Sequence, residues 1–184
     1  CGRRSSGMKI CYLNQTLKAN SGAGNFYQSL SSAVKKAYPG IEIEALASEN
    51  LLYPNKFKLA LALPAIRKVM KCCDILHALD GWPYGVIAVL ASIGLKKKLI
   101  ITAIGTGAIQ PLYSWWKRPI MKWIYRKADQ VVAVSHNTRR ELVKFLPDLD
   151  VEVIPHGVDL ARYQVVSSKY QVEAEKLKPY ILSV

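Results

Sequence analysis

The chain has 184 residues, of which 51% are apolar, and its 26 Lys and Arg against 13 Asp and Glu give a formal net charge of +13. This length and composition predict a folded globular domain with one core and exclude a disordered chain. The charge predicts an anionic partner and leaves nucleic acid, acidic lipid and phosphorylated substrate open. The apolar stretch 82–95 contains Pro83 and Gly85 and stops at Lys96, short of the ~20 residues that a membrane span requires, so no transmembrane helix is predicted.

The cysteines and the first residues bear on the cellular compartment. Cys1, Cys11, Cys72 and Cys73 show no CxxC spacing, so we predict a reducing cytosol and no metal site. Residues 1–7 lack the apolar core of a signal peptide and are interpreted as an expression scar or a disordered leader, which makes Met8 the natural start.

Short β-rich runs alternate with longer helical segments along the chain, which is typical of a parallel sheet with helices on both faces. The predicted strands are Lys9–Leu13, 41–45, 74–78, Lys98–Ala103, 130–134, 151–154 and 180–184. The fourth strand is uniformly apolar and is therefore predicted to be central.

Helical patterns fill the intervals between these strands. Asn25 is expected to cap the first helix, with Gln28 at the capping-box position. Four further helices are predicted. The first has Pro64 in its first turn and an inward stripe at Ile66, Val69, Met70 and Cys73, and the others are 84–93, 112–128 interrupted at Pro119, and 135–146 with capping-box spacing at Thr138 and Glu141.

The end of the sequence predicts a boundary between domains. Residues 8–160 are expected to form one α/β domain, and the mixed polarity of 161–178 indicates a connector. Residues 179–184 then begin a strand that has no following helix. We interpret this strand as the first of a truncated second domain.

The loops after the strands are where a parallel α/β sheet binds ligands. Gly22, Ala23 and Gly24 precede a helix, where backbone amides and the helix dipole favour a phosphate; the alternative is a flexible connecting loop. Tyr27 occupies the place of the third glycine in a dinucleotide fingerprint, which disfavours nicotinamide binding.

Later loops supply further candidates for the same cleft. Gly105 and Thr106 allow close approach of the backbone to a ligand. Ser135 lies at a strand end, where it either caps a helix or contacts the ligand, and Gly157 and Asp159 suit a cleft wall or a simple turn.

No residue is assigned a catalytic role from its local pattern. His77 ends a strand among apolar neighbours and is expected to be a hydrogen-bonded structural residue, while His136 is expected to be exposed. Neither a Ser/His/Asp arrangement nor a metal cluster stands out in the sequence.

Cations beside aromatic residues predict an acceptor-binding or membrane-facing surface. Such residues settle at lipid headgroups; the alternative is that the apolar ones pack on the sheet while the cations stay in water. The residues of this surface are Lys68, Lys71, Trp115, Trp116, Lys117, Arg118, Lys122 and Arg126.

Two segments carry a resemblance to a known family. They are ADQVVAVS (128–135), followed by Thr138 and Leu142, and VIPHGVD (153–159). Together with Gly22 and Gly24, DILH (74–77), GWP (81–83), 102–106 and KPYILSV (178–184), the chain resembles the N-terminal domain of family-4 retaining glycosyltransferases, which have the GT-B fold of two Rossmann-like domains.

The resemblance implies transfer of a sugar from a nucleotide-sugar donor, a UDP- or GDP-sugar, with retention of configuration and without cofactor or metal. It implies an acceptor that is a glycan or lipid-linked, in polysaccharide or glycolipid assembly, and a second domain that holds most of the donor site. The fragment alone is then expected to be inactive, and its location to be cytoplasmic, with contact to the inner face of the membrane where the acceptor is lipid-linked.

The chain departs from the family pattern at Ile104, where many members have a histidine that hydrogen-bonds the donor sugar. An isoleucine side chain cannot make that bond. The alternative function is therefore a non-catalytic module of GT-B ancestry that binds a membrane or a partner. Nucleic-acid binding rests on charge alone, without a recognised motif, and is not predicted.

Overall fold

A computed structural model describes residues 7–52 and 56–157 of the chain. In these ranges it contains a parallel sheet of six strands in the order β2-β1-β3-β4-β5-β6. The strands are β1 Lys9–Leu13, β2 Glu42–Leu46, β3 Ile75–Ala78, β4 Lys98–Ala103, β5 Gln130–Ala133 and β6 Val151–Val153. The predicted strands from 9 to 154 are confirmed within a residue at each end, and the uniformly apolar β4 is central, between β3 and β5.

The helices that connect the strands are also present. They are α1 Gly22–Ala37, α2 Lys56–Lys71, α3 Val86–Ser92, α4 Thr106–Tyr113, α5 Arg118–Lys127 and α6 His136–Phe145, and an irregular helical turn, Gly81–Gly85, precedes α3. The α/β class with a parallel sheet is therefore confirmed.

The predicted starts of the first two helices are wrong. The second helix begins at Lys56, so Pro64 lies within it and not in its first turn. The first helix is capped by Ser21, whose Oγ accepts from the Gly24 amide at 3.1 Å, so Asn25 lies inside the helix. Gln28 does not complete a capping box, because its Nε2 donates to the carbonyl of Leu17 at 2.9 Å.

The last described helix begins in a similar way. Ser135 Oγ accepts from the Thr138 amide at 3.1 Å and caps α6, which confirms the helix-capping alternative predicted for Ser135. Thr138 and Glu141, which have capping-box spacing, both lie inside this helix. A Ser or Thr cap accepts a hydrogen bond from the amide two or three residues further along the helix. Ser135 and Thr138 can each take this role in the sequence, and the structure selects Ser135.

The helix predicted for 112–128 is interrupted as expected, but its first part begins earlier, at Thr106, and the interruption is not at Pro119. The chain leaves helical geometry at Ser114 and re-enters at Arg118, so the break lies before Pro119 and not at it. Pro119 occupies the first turn of α5, where its missing amide donor has no partner to lose.

The two faces of the sheet are covered unequally. The larger core lies on the face that carries α2 to α6, with buried residues from β1 to β6 such as Leu13, Leu76, Ile101 and Val131. The other face carries a smaller core in which α1 packs on β1, β2 and β3. The helices predicted on both faces are thus present, with α1 alone among the described helices on its side.

Several parts of the predicted domain organisation lie outside the described residues. They are residues 1–6 of the leader, the end of the domain at 158–160, the connector 161–178 and the strand at 179–184.

Candidate functional site

All six strands run in the same direction, so the loops that follow them meet at one edge of the sheet. Ligands of open α/β sheets bind at this carboxyl edge. The segments that form it come after β1, β3, β4, β5 and β6, and they contain the predicted cleft residues that the structure describes.

The loop after β1 is held over the start of α1 by its own backbone. A Cβ atom at Gly24 would lie 1.8 Å from the carbonyl oxygen of Lys18, so this position requires glycine. Gly22 is exposed with open space around it, and Ala23 is half-buried. Gly24 therefore shapes the loop, and its amide is taken by Ser21 Oγ, while Gly22 lies exposed at the start of α1.

Two residues that the sequence did not single out fix this loop. Asn14 is buried, and its Nδ2 donates to the carbonyls of Thr16 at 2.8 Å and Ala23 at 2.9 Å. Glu49, after β2, accepts from the hydroxyl of Thr16 and from the Leu17 amide at 3.3 Å. The bond from Thr16 is the main reason that the pKa of Glu49 lies below its usual value.

The loop after β4 brings the backbone close to a carboxyl group. Gly105 has φ of 70°, a left-handed conformation that favours glycine, and α4 starts at the exposed Thr106. A Cβ atom at Gly107 would lie 2.2 Å from Oδ2 of Asp80. Gly107, in the first turn of α4, therefore packs against the Asp80 carboxyl, whereas Gly105 has open space around its Cβ position.

Asp80 was not among the residues predicted from the sequence. It follows β3, and its Oδ1 accepts from the Gly81 amide at 2.7 Å. Burial raises the pKa of its carboxyl to about 7, against the opposing effect of the Gly81 hydrogen bond. A single aspartate after a strand is a weak sequence signal, and only the approach of the β4 loop identifies this one.

His77 and Thr102 form a polar pair on the α1 side of the sheet. The Nε2 atom of His77 lies 2.7 Å from Oγ1 of Thr102, and the imidazole is 5.2 Å from the ring of Tyr12. Burial lowers the pKa of His77 to about 4, so the ring is neutral near pH 7. The hydrogen bond expected for a structural histidine is present.

A groove of about 620 Å³ opens beside this pair. It runs between α1 and the last strands, and its wall includes Phe26, His77, Val132, Ile154 and His156. His156 lies against Phe26, with 4.3 Å between the ring centroids, and burial lowers its pKa. Gly157, a predicted cleft residue, is exposed at the rim.

Ser135, Asp159 and Ile104 are the remaining residues predicted in the cleft, and the structure describes two of them. Ser135 is engaged as the cap of α6, and its Oγ also lies 3.0 Å from Oγ1 of Thr138. Asp159 lies outside the described residues. Ile104, at the position where the family resemblance implied a histidine, is partly buried and packs against the cluster of Ile10, Tyr12 and Leu79.

The cations and indoles predicted as one surface lie on two elements. Lys68 and Lys71 are exposed on α2. Trp115 and Trp116 lie in the turn between α4 and α5 and are 85% and 45% exposed. The Lys117 ammonium is 4.9 Å from the centroid of the Trp82 ring and 5.0 Å from that of Trp116, an arrangement in which the ring faces attract the charge.

Three other cations of the predicted surface, Arg118, Lys122 and Arg126, are bonded within the fold or partly buried. Arg118 donates to the Leu112 carbonyl at 2.8 Å, Arg126 pairs with Asp148 at 3.1 Å, and Lys122 is half-buried. The free part of the predicted surface is therefore centred on Trp115, Trp116 and Lys117.

The described ranges contain neither a metal-binding cluster nor a membrane-spanning helix. Residues 7–52 and 56–157 contain no group of three or more His, Cys, Asp or Glu that could hold a metal ion. Within the same ranges, no helix has the length and apolar character to cross a bilayer.

The profile of Glycosyltransferase Family 4 matches residues 27–162. The chain belongs to this family. The match spans the central strands and the segments 128–135 and 153–159 that carried the resemblance, which is thereby confirmed. Comparison with curated protein sequences gives no match.

Solved structures with the same fold include the Anabaena protein Alr3699/HepE. Its complex with UDP and glucose aligns with a TM-score of 0.64 and 16% identity, over 92% of this chain and 50% of that one. Its complex with UDP-glucose gives 0.65 and 17%, over 92% and 49%. A UDP-N-acetylglucosamine 2-epimerase aligns at 0.53 and 13%, over 80% and 48%.

At these identities the likeness concerns the fold alone. It confirms the Rossmann-like parallel sheet of the N-terminal half of a GT-B fold. The family-4 chain spans about half of the length of the structures that it matches.

Proposed function

We propose that the protein transfers a sugar from a UDP-sugar to a glycan or lipid-linked acceptor with retention of configuration, and that this chain supplies the acceptor side of the cleft. Its membership of Glycosyltransferase Family 4 is the observation that carries the proposal. The bound UDP and UDP-glucose of the structural neighbours favour UDP over GDP as the donor nucleotide.

The carboxyl edge supports this assignment chemically. Gly22 and Ala23 lie at the start of the 16-residue helix α1, where the donor phosphates would be favoured because a helix N-terminus attracts negative charge. Gly105 and Gly157 each leave open space beside the backbone in which a sugar can lie. The proposal places the rest of the donor site on a second domain, as the double length of the structural neighbours suggests.

The test uses the protein in its full natural length. Release of UDP from UDP-glucose and of GDP from GDP-mannose is followed with and without acceptors, and NMR of the product anomeric proton reports retention. We expect turnover of the UDP-sugar, and turnover of neither donor would overturn the proposal. This chain alone should bind UDP-glucose weakly; sub-micromolar affinity, more than about 8 kcal/mol, would contradict the division of the site between two domains.

A second candidate function is a non-catalytic module that docks on anionic membranes, in the cytoplasm at the inner leaflet. The exposed indoles of Trp115 and Trp116 beside Lys117 favour it, since each cation at an acidic leaflet contributes about 1 kcal/mol. The apolar packing of Ile104 supports the loss of catalysis in this candidate.

Two experiments distinguish these candidates. Co-sedimentation with phosphatidylserine and with phosphatidylcholine vesicles, at low and high salt, tests the docking; equal failure with both lipids at low salt would leave a soluble acceptor. Ile104→His in the natural-length protein tests the site, because it introduces a hydrogen-bonding ring at the cleft. Unchanged kinetics with UDP- and GDP-sugars would remove position 104 from donor recognition.

A further inference from the structure

The loop after β1 lies where the strand order of the sheet reverses. β1 pairs with β2 on one side and with β3 on the other, and all later strands are added on the β3 side. Open α/β sheets bind ligands in the crevice that such a reversal creates beyond the carboxyl ends of the strands. Asn14 directly follows β1 and is therefore the first residue of the loop at this crevice.

Asn14 holds both ends of this loop with one side chain. Its Nδ2 donates to the Thr16 carbonyl at 2.8 Å and to the Ala23 carbonyl at 2.9 Å. Its backbone amide donates to the carbonyl of Leu46, the last residue of β2, at 3.0 Å. A carboxamide has two N–H donors, and here the loop takes both of them. The side chain thus joins the beginning of the loop to the first turn of α1.

Two further side chains hold the far side of the same loop. Gln28, on α1, donates from Nε2 to the Leu17 carbonyl at 2.9 Å. Glu49, after β2, accepts from the Thr16 hydroxyl and from the Leu17 amide at 3.3 Å. The shape of the loop is therefore set by contacts within the chain, from three separate elements of the fold.

The glycines of the loop show where it is packed and where it is open. A Cβ atom at Gly24 would lie 1.8 Å from the Lys18 carbonyl oxygen, whereas a Cβ atom at Gly22 would meet nothing within 4 Å. Open space thus begins one residue before Ala23, whose carbonyl Asn14 holds. The Asn14 bond therefore fixes the backbone directly beside the open part of the loop.

We propose that Asn14 is a positioning residue for the donor diphosphate, because it fixes the loop after β1 in the conformation that presents the open backbone at Gly22 to the phosphates. This inference rests on the proposed glycosyltransferase function. Asn14 acts through the loop and does not contact the donor. The advantage is preorganisation, since a loop that is already ordered loses less conformational entropy when the phosphates bind.

The experiment compares Asn14→Leu with Thr102→Val in the natural-length protein. Asn14 and Thr102 are both buried polar residues, at 2% and 4% exposure, but Thr102 is bonded to His77 at 2.7 Å and not to the loop. Each substitution replaces the polar side chain by an apolar one of similar shape. Asn14→Ser is included as a milder variant, because a hydroxyl can donate only one of the two bonds.

Calorimetry measures the affinity of each protein for UDP, and ligand-observed NMR measures that for uridine, which lacks the phosphates. Urea denaturation reports whether each variant is folded. We expect Asn14→Leu to bind UDP about tenfold more weakly or worse, because two hydrogen bonds that hold the loop are lost. Asn14→Ser should show a smaller loss, and Thr102→Val should bind UDP like the wild type. Uridine affinity should be the same for all four proteins.

Other outcomes overturn distinct statements. Absence of UDP binding by the wild type contradicts the proposed function. With UDP bound by the wild type, unchanged UDP affinity in a folded Asn14 variant overturns the positioning role. An equal loss in Thr102→Val, an equal loss for uridine, or the unfolding of both Asn14 variants would make Asn14 a structural residue alone and overturn it as well. If uridine binds none of the proteins, the UDP affinities alone decide.

Discussion

Replacing Asp80 by Asn should make the protein more stable at neutral and alkaline pH. Burial moves the pKa of this carboxyl from its ordinary value of 3.8 to about 7 in the folded state. Between these values the folded protein binds more protons than the unfolded chain, so the free energy of unfolding decreases as the pH rises through this window. A shift of about three units at about 1.4 kcal/mol per unit corresponds to at most about 4 kcal/mol at pH 8. Asp80 is only partly buried, so screening by solvent makes this an upper bound.

The titratable groups that interact with Asp80 do not provide another source for this effect. They are Tyr84 in the same turn and Tyr125 on α5, and the pKa of both phenols is raised mainly by burial, so both stay neutral in the window. Urea denaturation of the wild type, Asp80→Asn and the exposed control Asp74→Asn from pH 4 to pH 8 measures the effect. The advantage of Asp80→Asn should grow with pH, whereas a difference that stays constant from pH 5 to pH 8, or a less stable Asp80→Asn at pH 8, would refute the reasoning.

Three further predictions concern other parts of the fold. Burial lowers the pKa of His77 from 6.5 to about 4, so the unfolded chain binds the proton at a higher pH than the folded one, and about 3 kcal/mol of stability should be lost as the pH falls through that window. Urea denaturation of His77→Gln should therefore show a smaller loss of stability at acid pH than that of the exposed control His136→Gln. An equal pH dependence of the two variants would contradict this. Gly24→Ala should lower the free energy of unfolding by about 1–3 kcal/mol or more, because the added Cβ would clash with the Lys18 backbone, whereas Gly22→Ala should be neutral or stabilising by up to about 1 kcal/mol. Equal denaturation midpoints of the two variants would show that the loop moves to accommodate the added Cβ. Trp115→Ala should reduce co-sedimentation with phosphatidylserine vesicles at low salt, and unchanged binding would remove this indole from any membrane contact.

Much of the fold was predictable from local patterns because the inner strands of a parallel sheet are covered by helices and therefore consist mostly of apolar residues. The uniformly apolar β4 illustrates this, since a central strand in a parallel sheet has no wet side. Helix ends were less predictable. Ser21 and Asn25 are both good caps, and the loop packing that places Lys18 against Gly24 selects between them.

The candidate site was predictable in location and less so in its residues. Glycine-rich loops after β1 and β4 indicated the carboxyl edge, because small residues before helices are visible in sequence. Asn14 and Asp80 gave no such signal. Their roles depend on the neighbours that meet them, Ala23 for the one and Gly107 for the other, and these contacts come from segments distant in sequence.

The sequence by itself determined the α/β class, the central strands and the family, because hydrophobic periodicity and short motifs are local properties of the chain. Tertiary structure alone decided which polar groups are buried and which remain open. Asp80 and Asp74 are both aspartates beside β3, yet Asp74 is exposed while Asp80 packs against Gly107 and burial raises its pKa. That difference arises from the desolvation that the packed loops impose, and desolvation exists only once distant segments have come together.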